Sequence, residues 1–192
     1  MRSLWKVVSL PDTTVLALLG LSLAGNGYMA VRLFRSPREA PAAPTLRIGE
    51  TVPAVEAHSV LGERMTLSYA DDSRPTVLYV FAPGCGWCQK NAESIRSLFA
   101  AHGKDYRFAG VSLDDSDLNS HVGTGALPFP VYGKIPASVR ERYKLGPTPQ
   151  TIVISPQGKV LANWPGAYVG NTQTQVEAFF GVKLPQIAPP RS

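Results

Sequence analysis

Cysteine is scarce in this chain of 192 residues, which contains only Cys85 and Cys88. Two cysteines cannot build the framework of several bridges that holds many small secreted domains together. A structural zinc site takes about four cysteine or histidine ligands, and the three histidines are isolated along the chain, at His58, His102 and His121. The composition therefore favours neither a disulfide scaffold nor a metal site.

Clustered basic charge is also missing. The net charge is +5, from 19 basic against 14 acidic residues. Much of the excess lies near the amino terminus, at Arg2, Lys6, Arg32, Arg35 and Arg38. No basic run has interleaved aromatic residues, so no nucleic-acid partner is expected. Hydrophobic residues make up 44% of the chain, which is enough for a folded core. We expect one domain and one additional segment.

Charged residues are absent from Thr13 to Val31, and Arg2 and Lys6 precede this stretch. Its length approaches the roughly 20 residues that cross a bilayer as a helix. This favours a membrane signal-anchor within residues 1–35, and a cleaved signal peptide, which would give a secreted form, is the alternative. A Pro/Ala-rich linker at 36–45, a folded domain at 46–184 and a tail at 185–192 complete the predicted organisation.

Strand and helix patterns alternate after the linker. The strands are a hairpin at 55–70, buried runs at 76–82 and 106–113, a short strand in "FPVYG" and a second hairpin at 150–164. Helical patterns cover 88–102, 114–122, a stretch ending near Gly146, and 171–181. This order predicts an α/β fold with one central mixed sheet flanked by helices.

The two cysteines lie where a buried strand gives way to a helix. Unpaired N–H groups and the helix dipole favour a thiolate there, and the pKa of a cysteine at such sites falls from about 8.5 to roughly 3.5–7.5. Cys88, one turn into the helix, is expected to be more buried. We predict that Cys85 attacks a disulfide and that Cys88 resolves the mixed disulfide. A short structural staple or a metal clamp is a less favoured alternative.

The sequence around this motif resembles the thioredoxin superfamily in its redoxin (AhpC/TSA-like) branch, and more narrowly the membrane-anchored TlpA-like thiol–disulfide oxidoreductases. The resemblance covers about Leu46 to Gly181 and rests on "IGETVP", "LGERMTLS", "VFAPGCGWC" and "YKLGPTPQTIVISPQGKV". It implies a thioredoxin-like fold and a cis bond between Thr148 and Pro149 beside the cysteines. Thr148 would then pair with an extended substrate chain. The predicted groove residues are Gly86, Trp87, Thr148 and Pro149.

The resemblance also implies a function. It indicates an enzyme that carries electrons on a redox-active Cys85–Cys88 disulfide, without a bound cofactor. The implied substrates are disulfide-containing exported proteins, such as apocytochromes during cytochrome c maturation. The implied location is the bacterial periplasm or cell envelope, outside the cytoplasm, with a membrane electron donor for the dithiol.

Three residues depart from the family pattern. Asn91 stands where TlpA-like proteins often have a glutamate, Tyr79 stands where thioredoxins have a buried aspartate, and Glu93 replaces a helix-kinking proline. The sequence therefore does not identify the group that takes the proton of Cys88, and a water-mediated route remains open.

Two rival functions are less favoured. A peroxiredoxin-like thiol peroxidase would need threonine at position 87 and cysteine at position 90, where this chain has Trp87 and Lys90. A copper-binding carrier on the same fold would use His121 or His58 as a third ligand. Such carriers typically separate their cysteines by three residues rather than two.

Overall fold

The computed structural model describes residues 12–35, 44–116, 118–123 and 127–187. The chain divides into two units, residues 1–42 and residues 43–192. The first contains helix α1 (Asp12–Arg35). Within α1, the stretch Thr13–Arg32 is long and apolar enough to cross a membrane, by length and composition. A signal sequence near an amino terminus has the same two properties.

The second unit alternates strands and helices in the predicted order. Its elements are β1 (Val55–Ser59), β2 (Arg64–Leu67), β3 (Thr76–Phe81), α2 (Gly86–His102), β4 (Arg107–Ser112), α3 (Leu118–Gly123), β5 (Val131–Gly133), α4 (Ala137–Arg142), β6 (Gln150–Ile154), β7 (Val160–Pro165) and α5 (Asn171–Phe180). The predicted α/β class is confirmed.

Within the described residues the strands form one mixed sheet of seven strands, in the order β2-β1-β5-β4-β3-β6-β7. β3 runs parallel to β4 and antiparallel to β6. All six residues of β3 are buried, as expected for a continuous apolar run in the middle of a sheet. Neighbours on both sides therefore fix the position of the carboxyl end of β3, where the cysteine motif follows.

Each side of the sheet carries its own hydrophobic core, because successive side chains of a strand point to opposite faces. We call one side the helix face; its core includes Tyr79, Cys88, Ile95, Val176 and Phe180, from β3, α2 and α5. We call the other side the segment face; its core includes Leu46, Val52, Leu78, Tyr143 and Ile152, to which the N-terminal segment 44–54 and α4 contribute.

Hydrogen bonds tie the N-terminal segment to the segment face. Asn163 Nδ2 donates to the Leu46 carbonyl at 3.0 Å, and Asn163 Oδ1 accepts from Gln150 Nε2 at 2.9 Å. The Lys144 ammonium pairs with Glu50 at 2.9 Å. Since Gln150 directly follows Pro149, these contacts connect the start of the domain to the loop beside the cysteines.

Three helices have boundaries that differ from the sequence-based prediction, since α3 begins at Leu118 rather than at position 114. α2 begins at Gly86, ahead of the predicted Cys88, because Cys85 acts as its N-cap. α4 ends at Arg142 rather than near Gly146. Lys144 has a φ of +51°, and a residue in the left-handed region cannot continue a right-handed helix.

Candidate active site

Cys85 lies in the turn that joins β3 to α2. Its backbone N–H donates to the Ala82 carbonyl at 3.1 Å. Its backbone is extended, with φ −78° and ψ 110°, and its Sγ accepts the backbone N–H of Cys88 at 3.1 Å. The sulfur therefore takes the place of the oxygen in an ordinary N-cap, where a free N–H and the helix dipole favour negative charge.

Cys88 lies one turn further along α2 and forms a disulfide with Cys85, with their Cα atoms 5.2 Å apart. The exposed fraction of Cys88 is 6%, whereas Cys85 is half-buried. An incoming sulfur can therefore reach Cys85 more easily than Cys88. This difference suits an attacking cysteine followed by a resolving cysteine.

The loop before β6 brings Thr148 and Pro149 against Cys85. The bond between these two residues is cis. The Thr148 carbonyl oxygen lies 3.5 Å from Cys85 Sγ, close enough to accept from the thiol of the reduced form. The Pro149 carbonyl accepts the N–H of Gly166 at 2.8 Å, which fastens the loop to the end of β7. Thr148 is half-buried, so part of it remains accessible.

Gly86 and Trp87, between the two cysteines, are both exposed. A Cβ added at Gly86 would meet no atom within 4 Å, so the space beside this residue is open. The Lys90 ammonium lies over the Trp87 ring, 4.8 Å from its centroid. The structure thus brings Gly86, Trp87, Thr148 and Pro149 together around Cys85, and their role as a substrate groove remains a prediction.

A polar cluster lies in the core of the helix face. Asn91 on α2 is fully buried, and its Oδ1 accepts the backbone N–H of Tyr168 at 2.9 Å. The Tyr168 and Thr151 hydroxyls lie 2.7 Å apart. Burial raises the pKa of Tyr79 to about 12, and the interaction with Asn91 opposes this rise. Sequence reasoning singled out Tyr79 and Asn91 but missed Tyr168, since its contribution to Asn91 is a backbone N–H.

The histidines do not join the cysteines within the described residues. His58 lies on β1, which β5 and β4 separate from β3. The side chain of His121 lies outside the described residues. Among the described residues, no group of three histidine, cysteine, aspartate or glutamate side chains could hold a metal ion.

Comparisons with known proteins agree with this geometry. The model of the AhpC/TSA family matches residues 48–163. The thiol-disulfide oxidoreductase ResA of Oceanobacillus iheyensis is 26% identical over 146 residues, which are 73% of this chain and 74% of that protein.

Two solved structures are also similar. The thioredoxin domain of a Bacteroides vulgatus thiol-disulfide oxidoreductase has a TM-score of 0.58 and 22% identity, covering 71% of this chain and 99% of that one. A thiol:disulfide interchange protein from Bacteroides sp. has a TM-score of 0.57 and 20% identity, covering 71% and 92%. The fold is thioredoxin-like.

Proposed function

We propose that this chain, which belongs to the AhpC/TSA family, is a thiol–disulfide oxidoreductase whose redox centre is the Cys85–Cys88 pair. One observation carries the proposal. The sulfur of Cys85 occupies the N-cap of α2 and accepts the Cys88 N–H at 3.1 Å, while Cys88 itself is buried. A structural staple would gain nothing from this difference in exposure.

The reaction follows from that arrangement. In the dithiol form, the Cys85 thiolate attacks one sulfur of a substrate disulfide, forms a mixed disulfide and releases the first substrate thiolate. Cys88 then loses its proton and attacks Cys85 Sγ, which releases the second substrate thiolate and closes the Cys85–Cys88 disulfide. Two electrons pass from the protein to the substrate, and the protons end on the substrate thiols or in solvent.

The surroundings of Cys85 support a protein substrate. The half-buried Thr148 suits an extended chain that pairs with its backbone like a short added strand. Gly86 leaves space for such a chain beside the disulfide, and Trp87 offers an exposed apolar surface. Pro149 forms the wall of the same groove. These four residues carry no cofactor-binding role in this proposal, since the disulfide itself carries the electrons.

The proposed location is a membrane tether within residues 1–35, a linker at 36–45, and a catalytic domain at 46–184 outside the cytoplasm, in the bacterial periplasm or cell envelope. The apolar length of α1 supports the tether, and disulfides persist in that compartment. A membrane electron donor would restore the dithiol. The proposed substrates are disulfides of exported proteins, including apocytochromes in cytochrome c maturation.

Insulin disulfide reduction by the full chain, in detergent and with a small thiol donor, tests the activity. We expect catalysis by the wild type and none by Cys85→Ser, which removes the attacking sulfur. Peroxide consumption is measured in parallel. Rapid peroxide turnover without insulin reduction would contradict the proposal and favour a thiol peroxidase.

The substrate class has its own experiment. Cys88→Ser removes the resolving sulfur and leaves Cys85 able to attack, so mixed disulfides with the natural partners accumulate. We expect mass spectrometry of envelope fractions to find exported, disulfide-containing proteins on this variant, and none on a Cys85→Ser control. Capture of cytoplasmic proteins alone, in intact cells, would contradict the proposed location.

A further inference from the structure

Two buried polar atoms beneath the active-site helix have no hydrogen-bond partner among the described residues: Tyr79 Oη and Asn91 Nδ2. Such atoms are rare, because buried polar groups in folded proteins nearly always bond to protein or to internal water. Their neighbours in the same core follow the rule, since the Tyr168 hydroxyl bonds to the Thr151 hydroxyl at 2.7 Å. On the helix face, Tyr79 Oη and Asn91 Nδ2 are thus the exception among the described residues; Thr76 Oγ1 on β3 and His58 Nδ1 on β1 also lack a partner.

The orientation of the Asn91 amide is fixed. Its Oδ1 accepts the Tyr168 N–H at 2.9 Å, and only the oxygen of an amide can accept. Nδ2 must consequently point away from Tyr168. Asn91 lowers the pKa of Tyr79 as a hydrogen-bond donor does, against the rise that burial causes, but the two atoms do not meet the geometry of a hydrogen bond.

Both groups face the same hydrophobic core as Cys88. Asn91 is three residues after Cys88 on α2, so the two side chains share one side of the helix. Tyr79 belongs to the same buried cluster as Cys88 and projects from β3 toward α2, as Phe81 does. Neither Tyr79 Oη nor Asn91 Nδ2 bonds to the Cys88 sulfur while the disulfide is closed.

The groups that face Tyr79 and Asn91 are neutral. The titratable ones are Tyr79 from β3, Cys88 from α2 and Tyr168 from the segment before α5, and β6 contributes the hydroxyl of Thr151. Burial raises the pKa of both phenols, and no charged side chain contributes to either shift. A proton acceptor that ionises near neutral pH is therefore absent from the described surroundings of the pair.

We propose that Tyr79 and Asn91 hold one internal water molecule that donates a hydrogen bond to the Cys88 sulfur when the disulfide opens. The Tyr79 O–H and the Asn91 N–H can both donate, so the lone pairs of the water face them and its protons face an acceptor elsewhere. A thiolate at Cys88 is such an acceptor. Tyr79 and Asn91 are then positioning residues that act through the water.

This inference rests on the proposed function and concerns its second step. When Cys88 attacks the mixed disulfide, its proton leaves to the departing substrate thiolate or to solvent, and the S–S bond to the substrate breaks as the Cys85–Cys88 bond forms. The water stabilises the transient charge on Cys88 with neutral donors. Hydrogen bonding to the charged form of a group favours that form.

A two-phase kinetic experiment separates the steps. The reduced full chain in detergent is mixed with dithiobis(nitrobenzoate), an aromatic disulfide. Each thiolate that is released absorbs visible light, so absorbance follows the reaction. The first phase reports attack by Cys85, and the second reports attack by Cys88 on the mixed disulfide. Both are measured across the pH range in which thiols ionise.

We expect Tyr79→Phe to slow the second phase about tenfold at neutral pH and to raise the midpoint of its pH profile by about one unit, since the water that donates to the charged sulfur loses one of the two groups that position it. The first phase should not change. Tyr168→Phe is the matched control, because it removes another buried hydroxyl of the same core and should alter neither phase. Equal effects of the two changes, or no effect of Tyr79→Phe, would overturn the inference.

Detection of the water by NMR in the wild type tests the inference even if Tyr79→Phe folds poorly. In the wild type we expect a magnetisation-transfer signal between a long-lived water and the Asn91 side-chain amide protons, and its absence would overturn the inference. The proposed function fails separately: if the first phase is missing in the wild type, Cys85 is not the nucleophile. A normal first phase with a second phase insensitive to Tyr79 leaves that function intact.

Discussion

Each face of the sheet contains two tyrosines that are exposed by 4% or less, and their hydroxyl groups are bonded differently on the two faces. On the segment face, the Tyr69 and Tyr143 hydroxyls lie 2.8 Å apart, and Tyr143 donates to the Pro53 carbonyl. Tyr69 must then donate to Tyr143. On the helix face, Tyr168 bonds to Thr151 while Tyr79 has no partner among the described residues.

This difference separates two uses of buried polar groups. The satisfied pair on the segment face fastens the N-terminal segment to α4, so it contributes to stability. The unpartnered donors on the helix face belong to the same core as the resolving cysteine, and in our proposal they hold the water that stabilises its transient charge. We therefore expect changes on the segment face to lower stability and changes on the helix face to alter the redox chemistry as well.

Truncation of each hydrophobic core has the largest expected effect. Leu67→Ala on the segment face and Ile95→Ala on the helix face both remove fully buried methyl groups, and each should lower the free energy of unfolding by about 2–5 kcal/mol. Ile95→Ala should also slow thiol exchange per folded molecule, because α2 carries Cys88. Denaturant titration and exchange rates measured below the unfolding transition check this. An equal loss of thiol-exchange rate in both variants would contradict the expected difference between the two faces.

The two tyrosine pairs give the next largest effect. Tyr143→Phe leaves the Pro53 carbonyl and the Tyr69 hydroxyl without their partner, and should cost about 1–3 kcal/mol of stability. Tyr79→Phe removes a hydroxyl that no described group satisfies, so its cost should be smaller. Chemical denaturation of both variants measures the difference. A larger cost for Tyr79→Phe would show that this hydroxyl is mainly structural.

Acid titration compares one carboxylate near each face. The pKa of Glu177 on α5 is lowered to about 2 by the Leu184 N–H, the Gln173 amide and the Lys183 ammonium. A lowered pKa stabilises the fold above the ordinary value of 4.5, and this contribution is lost as the pH falls from there toward about 2. The Tm difference between wild type and Glu177→Gln should therefore shrink over that range.

Glu50 provides the counterpart on the segment face. Its pKa is lowered by the Arg47 N–H and by Lys144, so Glu50→Gln should show a pH dependence of the same sign. We expect a weaker dependence than for Glu177, since Glu50 has fewer donors. A Tm difference that grows on acidification in either variant would contradict the assigned contacts.

The smallest expected effect on stability is at the rim of the site. Trp87 is 38% exposed and contacts Lys90 through its ring, so Trp87→Ala should change stability by less than about 1 kcal/mol. It should instead raise the KM for a protein disulfide. Phe179→Ala, at a similarly exposed aromatic on α5, is the control and should leave the KM unchanged. Equal KM values for Trp87→Ala and wild type would remove Trp87 from the groove.

The sequence alone predicts the central part of this fold well. β3 is an unbroken apolar run, and a helix pattern follows the cysteines, so the position of Cys85 at a strand–helix junction can be read locally. The relative burial of Cys85 and Cys88 follows from the same junction, because the second cysteine is one turn into an amphipathic helix. These features depend on short-range patterns.

The polar contacts could not be predicted in this way. Asn91 and Tyr168 are 77 positions apart in the chain, and Tyr69 and Tyr143 are 74 apart. No periodicity marks such pairs, because they depend on which elements the sheet topology brings together. The family resemblance singled out Tyr79 and Asn91, because related proteins have acidic residues at these two positions. Only the structure shows that both side chains are hydrogen-bond donors without partners among the described residues.

The attachment of the N-terminal segment has a practical consequence for preparing a soluble fragment. Leu46 is buried, and residues 49–52 bond to the turn and first residues of β7 through the Gly49, Val52 and Val160 N–H groups. A fragment that begins at β1 would expose Val160, Asn163 and Lys144 and discard part of the core. A fragment for crystallisation should therefore start ahead of Leu46, even though the first strand begins nine residues later.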